Sequence, residues 1–431
     1  MIHENISAND RGGLTFAGVD AARLAQKYQT PLYLMDEDRI RQNMRMFRSA
    51  AEQAFGETAG VAYACKAFCI KAMFPILMEE GLFADVVSGG ELYTALQAGF
   101  PAARIFFHGN NKQAWELELA LDAGVGMFIV DNARELADLN ALAAARGMRA
   151  PAMLRITPGI DPDTFRAVNT GSIDCQFGVP IETGQAMDFV KAARAMPNLT
   201  LVGLHSHIGS QVFGLAPFAL AIDKMLDFIR EVKDQTGYVP ELLNLGGGFP
   251  ARYVKRDPAV DLPGRVAAIG VHLKNACLAR GLDLPRVMIE PGRSIVADAG
   301  MTLYRAGTIK PIDGHKTYVV VDGGMTDNPR YALYGAAYTV YNASRMRETS
   351  RDRYTIAGRC CETGDILQED VELPRVQTGD LIAVAVTGAY NDAMSSNYNR
   401  VTRPPIVMLK GGEDRLVKRR ETLDDLIRND L

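Results

Sequence analysis

Apolar positions along this chain fall into two regimes. From about residue 60 to 290, short apolar runs alternate with stretches at helical spacing. The runs are VAYACKA (61–67), FADVVS (83–88), RIFFHG (104–109), MFIVDN (127–132), PAMLRIT (151–157), LVGLHSHIG (201–209), ELLNLGGG (241–248) and RVMIEP (286–291). Between them lie amphipathic segments such as ELYTALQAG (91–99), AWELELALDAG (114–124) and LAIDKMLDFIREVKDQ (220–235). In the last, Leu220, Ile222, Met225, Leu226, Phe228 and Ile229 are expected on one side of a helix. Eight strands separated by helices predict a parallel sheet, and the count suggests a (β/α)8 barrel. A doubly wound open sheet is the competing arrangement.

After residue 300 the pattern changes. KTYVVVDGG (316–324), RYTIAG (353–358), DLIAVAV (380–386) and PPIVMLKGG (404–412) are short, β-branched and broken by Gly, Pro and Asp. They predict an antiparallel β domain, sandwich-like or barrel-like. TPLYLMD (30–36) is also strand-like and is a candidate to pair with it. The expected division is a barrel over 36–302, with 1–35 and 303–431 forming the β domain. A chain of 431 residues is long enough for both.

Composition narrows the class. Apolar residues make up 48%, charged residues 23%, and the net charge is −4, with no polybasic stretch that would suit nucleic acid. No apolar run reaches membrane-spanning length, and MIHENISANDRGG has no signal-peptide pattern. Six cysteines in a chain this long are not a disulfide scaffold. Cys65, Cys69, Cys175 and Cys277 are expected to be buried thiols, whereas Cys360 and Cys361 stand together and apart. A cytoplasmic protein with free thiols is the expectation.

In such a barrel, chemistry collects at the C-terminal ends of the strands. Lys66 ends the first run, Asp85 and Ser88 lie on the second, and His108 ends the third. HSHIGS (205–210), Gly246, Gly247 and Gly248, and EPGR (290–293) end the sixth, seventh and eighth. Each has a plain structural alternative: a snorkelling lysine, a hydrogen-bonded histidine, a turn of glycines. Together on one rim they suggest a shared task. The glycines let backbone N–H groups approach a phosphate, and Ser210 and Arg293 add a hydroxyl and a guanidinium. Lys66 can form a Schiff base with an aldehyde, His207 can stack on a flat ring, and Glu290 can pair with a protonated pyridine nitrogen. The combination points to pyridoxal 5'-phosphate, with no metal.

Seven motifs in order carry a family resemblance: YACKAF, HSHIGSQ, NLGGGF, EPGRSIVA, PRYALY, CCETGD and GAYNDAMSSNYN. The chain resembles the diaminopimelate decarboxylases, members of the alanine racemase-like, fold-type III pyridoxal phosphate enzymes. The resemblance spans about residues 30 to 410. It implies a cofactor-binding barrel, a β domain, and a homodimer with shared active sites. It implies that Lys66 carries the cofactor, with Asp85, His207, Ser210, Gly246 to Gly248, Glu290, Pro291, Gly292, Arg293 and Tyr390 around it. Arg293, Arg330, Tyr334, Glu362 and Tyr390 resemble substrate contacts. Cys361, with Glu362, resembles a residue lent by the partner subunit, acting as proton donor. The implied reaction is decarboxylation of meso-2,6-diaminopimelate to L-lysine. Decarboxylation of ornithine, arginine or a carboxylated polyamine, or binding of the cofactor without catalysis, are the alternatives. The chain departs from the common pattern at DTFRAV, with Asp163 and Phe165, at Gln176, and at Ser206. Gln176 stands where relatives carry a lysine that can face an acid such as Asp365.

Overall fold

The computed structural model describes residues 1–160 and 173–431. The DTFRAV stretch lies outside the described residues. The chain divides into two compact units, one of Met44–Pro250 with Val260–Gly292, the other of Met1–Asn43, Ala251–Ala259 and Arg293–Leu431.

In the first unit, eight parallel strands close on themselves. They are β1 (Gly60–Ala64), β2 (Phe83–Val86), β3 (Ile105–Phe107), β4 (Met127–Val130), β5 (Ala150–Thr157), β6 (Leu199–His205), β7 (Leu242–Asn244) and β8 (Arg286–Ile289). Each pairs with the next, and β8 returns to β1 through Met288–Gly60 and Ile289–Val61. That last pairing rules out the open sheet. A two-residue strand, Val179–Pro180, adds beside the end of β5.

The helices between strands start and stop where side chains settle their free backbone groups. Ser88 is not part of the second strand. It caps the helix Gly89–Gln97 by accepting from Glu91 N–H at 3.2 Å. Asn132 caps Ala133–Ala145 in the same way. The helix Ala216–Thr236 ends at Gly237, whose φ of 69° suits a residue without Cβ. On that helix Ile222, Met225, Leu226, Phe228, Ile229 and Val232 are buried, but Leu220 is 49% exposed. Two residues before Ile222, it points about 200° around the helix from it.

The barrel interior is filled by Ala62, Phe106, Met127, Ile129, Met153, Leu242 and Met288, with Phe83 and Val202 packed against them. These apolar side chains fill the interior, so the centre is a packed core rather than a pore.

The second unit is a mixed sheet, mostly antiparallel. The long strand Gly300–Pro311 pairs antiparallel with Leu32–Asp36, Thr317–Val321 and Leu381–Ala385. Two of its pairings are parallel, against the sequence expectation: Leu32–Asp36 with Ile406–Lys410, and Thr317–Val321 with Asp352–Ala357. The N-terminal strand thus completes the C-terminal sheet. Among the described residues, no helix is long and apolar enough to cross a membrane.

Candidate active site

The pleat of the barrel strands builds the site. Side chains at i and i+2 share a face, so each apolar interior residue has a companion in the layer above it. Phe83 is followed by Asp85, Phe106 by His108, Ile129 by Asp131, and Met153 by Arg155. Leu242 is followed by Asn244 and Met288 by Glu290. His205, two residues after Gly203, joins the same layer from β6. Below is hydrocarbon; above is a buried ring of titratable and amide groups at the C-terminal ends.

Glu290 is the hub of that ring. Its Oε1 accepts from His108 Nε2 at 2.8 Å and Asn244 Nδ2 at 2.6 Å, and its Oε2 accepts from His205 Nε2 at 3.1 Å. Burial alone would raise its pKa, but the two imidazoles facing it hold it well below the usual carboxylate range. Burial drives the His205 pKa down to about 4 against the pull of Glu290, so this imidazole is neutral near pH 7. Its Nδ1 is buried with no hydrogen-bond partner among the described residues, which a protonated ring could not tolerate. The rings of His108 and His205 meet edge to face, 4.9 Å between centroids. His108, His205 and Glu290 also form a set of possible metal ligands. Both ring nitrogens already lie at hydrogen-bonding distance from the carboxylate, so the cluster is accounted for without an ion.

His207 lies two residues past His205. Its Nδ1 accepts from Gly247 N–H at 3.1 Å, which puts the ring proton on Nε2 and fixes the plane of the ring. Burial and the nearby Lys66 charge keep its pKa well below the ordinary value. Gly246 N–H donates to Asn244 Oδ1 at 2.9 Å. Two of the three glycine N–H groups expected at a phosphate are therefore used inside the barrel. The glycines serve close approach: a Cβ on Gly246 (φ 68°) would come 2.5 Å from Ser206 O and 2.8 Å from His207 Nδ1. A Cβ on Gly247 would come 2.4 Å from Glu290 O.

Lys66 is half-buried in a 3-10 turn, Cys65–Ala67, directly after β1. Pro291 and Gly292 fix that strand end. Ala64 N–H donates to Pro291 O at 3.3 Å, and a Cβ on Gly292 would come 2.8 Å from Ala64 Cβ. Asp85 is 1% exposed, and its Oδ1 has no hydrogen-bond partner among the described residues. Burial raises its pKa, while the charges of His108 and Lys66 pull it down. Ser210 is half-buried on the loop after β6. This donor set fits pyridoxal phosphate. It offers an amine at a strand end, a flat neutral imidazole, an ionised carboxylate and an orphaned acceptor at Asp85.

The second unit holds a separate cluster. Arg293 donates to Tyr253 OH at 2.7 Å and stacks on Tyr390 at 4.7 Å. Arg330 donates to Tyr338 OH at 2.9 Å and stacks on Tyr253 at 5.3 Å. Arg330 is 8% exposed and has no carboxylate partner among the described residues. Burial would raise the Tyr253 pKa, but Arg293 and Arg330 bring it below the ordinary phenol value. Tyr390 sits at φ 68°, a left-handed conformation uncommon for an aromatic residue. Tyr334, one turn beyond Arg330, is half-buried and is not among the rings on either arginine.

The cysteine pair separates clearly. Cys360 is half-buried, and burial with the neighbouring Asp365 pushes its thiol up to about 11. Cys361 is exposed, its N–H held by Asn399 Oδ1 at 2.7 Å, and Glu362 beside it is exposed too. Asp365 is no loose surface acid. It is 2% exposed and accepts from Met325 N–H at 2.6 Å and Cys360 N–H at 2.7 Å, so it organises its own loop. Gln176 is exposed and Ser206 buried. Cys69 and Cys175, expected to be buried, are only partly so, because each lies in a loop past a strand end.

Motif reading passed over His205, Asn244, Arg155, Asp131, Tyr253 and Tyr338. Arg155 is buried at the end of β5, stacked on Phe177 at 4.6 Å and 3.8 Å from Asp131. The first four were within reach of the i+2 rule applied to each apolar run.

A family profile described as "Pyridoxal-dependent decarboxylase, pyridoxal binding domain" matches residues 37–297. The diaminopimelate decarboxylase of Bacillus subtilis (strain 168) is 45% identical over 431 residues, covering 100% of this chain and 98% of the relative. That of Staphylococcus aureus (strain COL) is 41% identical, covering 99% of each. The crystal structure of diaminopimelate decarboxylase from M. jannaschii in complex with L-lysine superposes with a TM-score of 0.92 at 35% identity, covering 99% of this chain and 98% of that one. A shared barrel alone would not produce identity at this level along the whole of both chains, and the chain belongs to the diaminopimelate decarboxylases, a branch of the pyridoxal-dependent decarboxylases.

Proposed function

We propose that the chain is a carboxy-lyase that converts meso-2,6-diaminopimelate to L-lysine and CO2 with pyridoxal 5'-phosphate. When bound, the cofactor supplies a conjugated ring that accepts the electron pair left by departing CO2. Lys66 presents the amine that would hold it covalently, on a turn fixed by Pro291 and Gly292. His207 offers a neutral ring whose plane Gly247 sets. Glu290 keeps a negative charge at the buried end of the site, which would hold a proton on the ring nitrogen of a bound cofactor and so favour decarboxylation. Asp85, Ser210, Gly248 and Tyr390 are assigned to the cofactor's surroundings. Arg293, Arg330, Tyr334 and Glu362 are assigned to substrate.

The chain is further proposed to act as a cytoplasmic homodimer. Cys361 and Glu362, exposed on their own chain, would complete the site built on the partner's lysine. Cys361 would give the proton that replaces CO2 on the α-carbon. Cys360, facing Asp365, is the less suited of the two to this task.

The observation that carries the substrate reading is Arg330. A buried guanidinium without a carboxylate is costly until an anion meets it. Diaminopimelate brings a distal carboxylate; ornithine, arginine and L-lysine bring only a distal cation. Product that lacks the second carboxylate leaves the arginine unmatched and departs. Purified protein with and without pyridoxal phosphate should release CO2 from meso-diaminopimelate only in the cofactor's presence. Ornithine, arginine and a carboxylated polyamine should be turned over far more slowly. Faster turnover of any of these would replace the substrate reading, and cofactor binding without turnover of any would leave a carrier protein.

A further inference from the structure

Three side chains outside the assigned roles end on one carboxylate. His108 and Asn244 both donate to Oε1 of Glu290, and His205 donates to Oε2. Each carboxylate oxygen offers two acceptor directions. Among the described residues, Oε1 therefore has both occupied, and Oε2 has one in use and one to spare. The donors come from the ends of three different strands, β3, β6 and β7, while Glu290 follows β8. The two imidazoles brace each other edge to face. Among the described residues His205 has no second task, since its Nδ1 has no hydrogen-bond partner there. Asp85 Oδ1 lies 3.7 Å from the same His108 Nε2.

We infer that His108 and His205 are positioning residues that keep Glu290 ionised and aim its Oε2 at the ring nitrogen of the bound cofactor. The inference rests on the decarboxylase reading. The physical need is plain. A carboxyl group 6% exposed, left without donors, would take up a proton rather than stay charged. A neutral acid could not hold a proton on a facing pyridine, and the ring would lose strength as an electron acceptor. Donors on both oxygens remove that escape. They also fix rotation about the carboxyl, so the spare acceptor direction is single and constant. The neutral state of His205 matters for the same reason: it gives a hydrogen bond without a full positive charge that would compete with the pyridinium for Glu290.

The test uses holoenzyme loaded with pyridoxal phosphate labelled with 15N at the ring. In wild type the 15N shift should report a protonated ring nitrogen across neutral pH. In His108→Leu and His205→Leu the same nitrogen should lose its proton at a pH lower by a unit or more, a tenfold or greater weakening of proton affinity. His205→Gln, whose amide nitrogen reaches the place of Nε2, should restore the wild-type shift. His205→Asn, whose amide falls short, should not. This pair serves equally should the leucine variants fold poorly. Leucine or asparagine variants that carry the cofactor with an unchanged 15N shift and pH profile would overturn the inference. A wild-type protein that takes up no cofactor would instead remove the reading beneath it.

Discussion

Lys66 carries its amine on a short turn whose neighbours Cys65 and Ala67 are buried, so the fold is anchored by them and not by the lysine. Lys66→Ala should therefore keep the wild-type melting temperature while losing both turnover and the visible absorption of protein-bound cofactor. Retained absorption with substantial turnover would remove Lys66 from its role. Arg330 makes the complementary case. Removing one partner of a buried charge pair costs about 3–5 kcal/mol, or on the order of 10² to 10³ in rate. Arg330→Ala should lower kcat/KM for diaminopimelate by that factor while cofactor affinity changes little. His205 gives a pH signature. Burial sets its pKa at about 4, with His108 and Arg155 pushing the same way and Glu290 opposing. An unfolded histidine titrates near 6.5, so between about pH 4 and 6.5 the unfolded chain binds more protons. Stability from this group is lost as pH falls through that window and is level above it. The drop in urea midpoint from about pH 7 to about pH 5 should be smaller in His205→Gln than in wild type. Equal drops would mean that His205 is not buried in its neutral form.

At the scale of elements, the β7–glycine turn shows how a loop can be specified by what must pass near it. Gly246→Ala would force a Cβ into the left-handed region and against Ser206 O and His207. A cost of about 1–3 kcal/mol in stability is expected, with weaker cofactor uptake, because the imidazole must move. Unchanged melting and uptake would show that the loop gives way freely. All eight barrel strands and the switch to a sheet domain were legible from the period of the apolar runs. Lys66, Glu290 and His207 were legible because a charged or aromatic polar residue at the end of an apolar strand stands out. His205, Asn244 and Arg155 were passed over by motif reading, which weighs each residue's own chemistry, although the i+2 rule would have placed them on the inward face. Tyr253 was missed for a different reason. It reaches Arg293 from forty residues away, on a segment whose spacing gives no hint that it joins the sheet unit. The parallel pairings of the sheet were likewise hidden, because strand direction depends on connections that apolar spacing does not encode.

For the whole molecule, the sharpest expectation concerns stoichiometry. Lys66→Ala and Cys361→Ala homodimers should each be nearly inactive. Mixed in equal amounts under exchange, roughly half the dimers contain one of each chain, and each of those has one intact site. Activity should return to about a quarter of wild type. With exchange verified independently, no recovery would mean that Cys361 serves its own chain.

The alternation of layers inside the barrel has one more consequence. Hydrocarbon occupies one deck and ionisable groups the next, two residues further along each strand on the same inward face. The lower deck holds the barrel together, so the upper deck can be rewritten residue by residue without reopening the core. An insertion of a single residue between the tiers, at Ile289 for example, would leave Met288 in the hydrocarbon deck but turn Glu290 to the outer face of that strand, costing the chemistry while sparing the core.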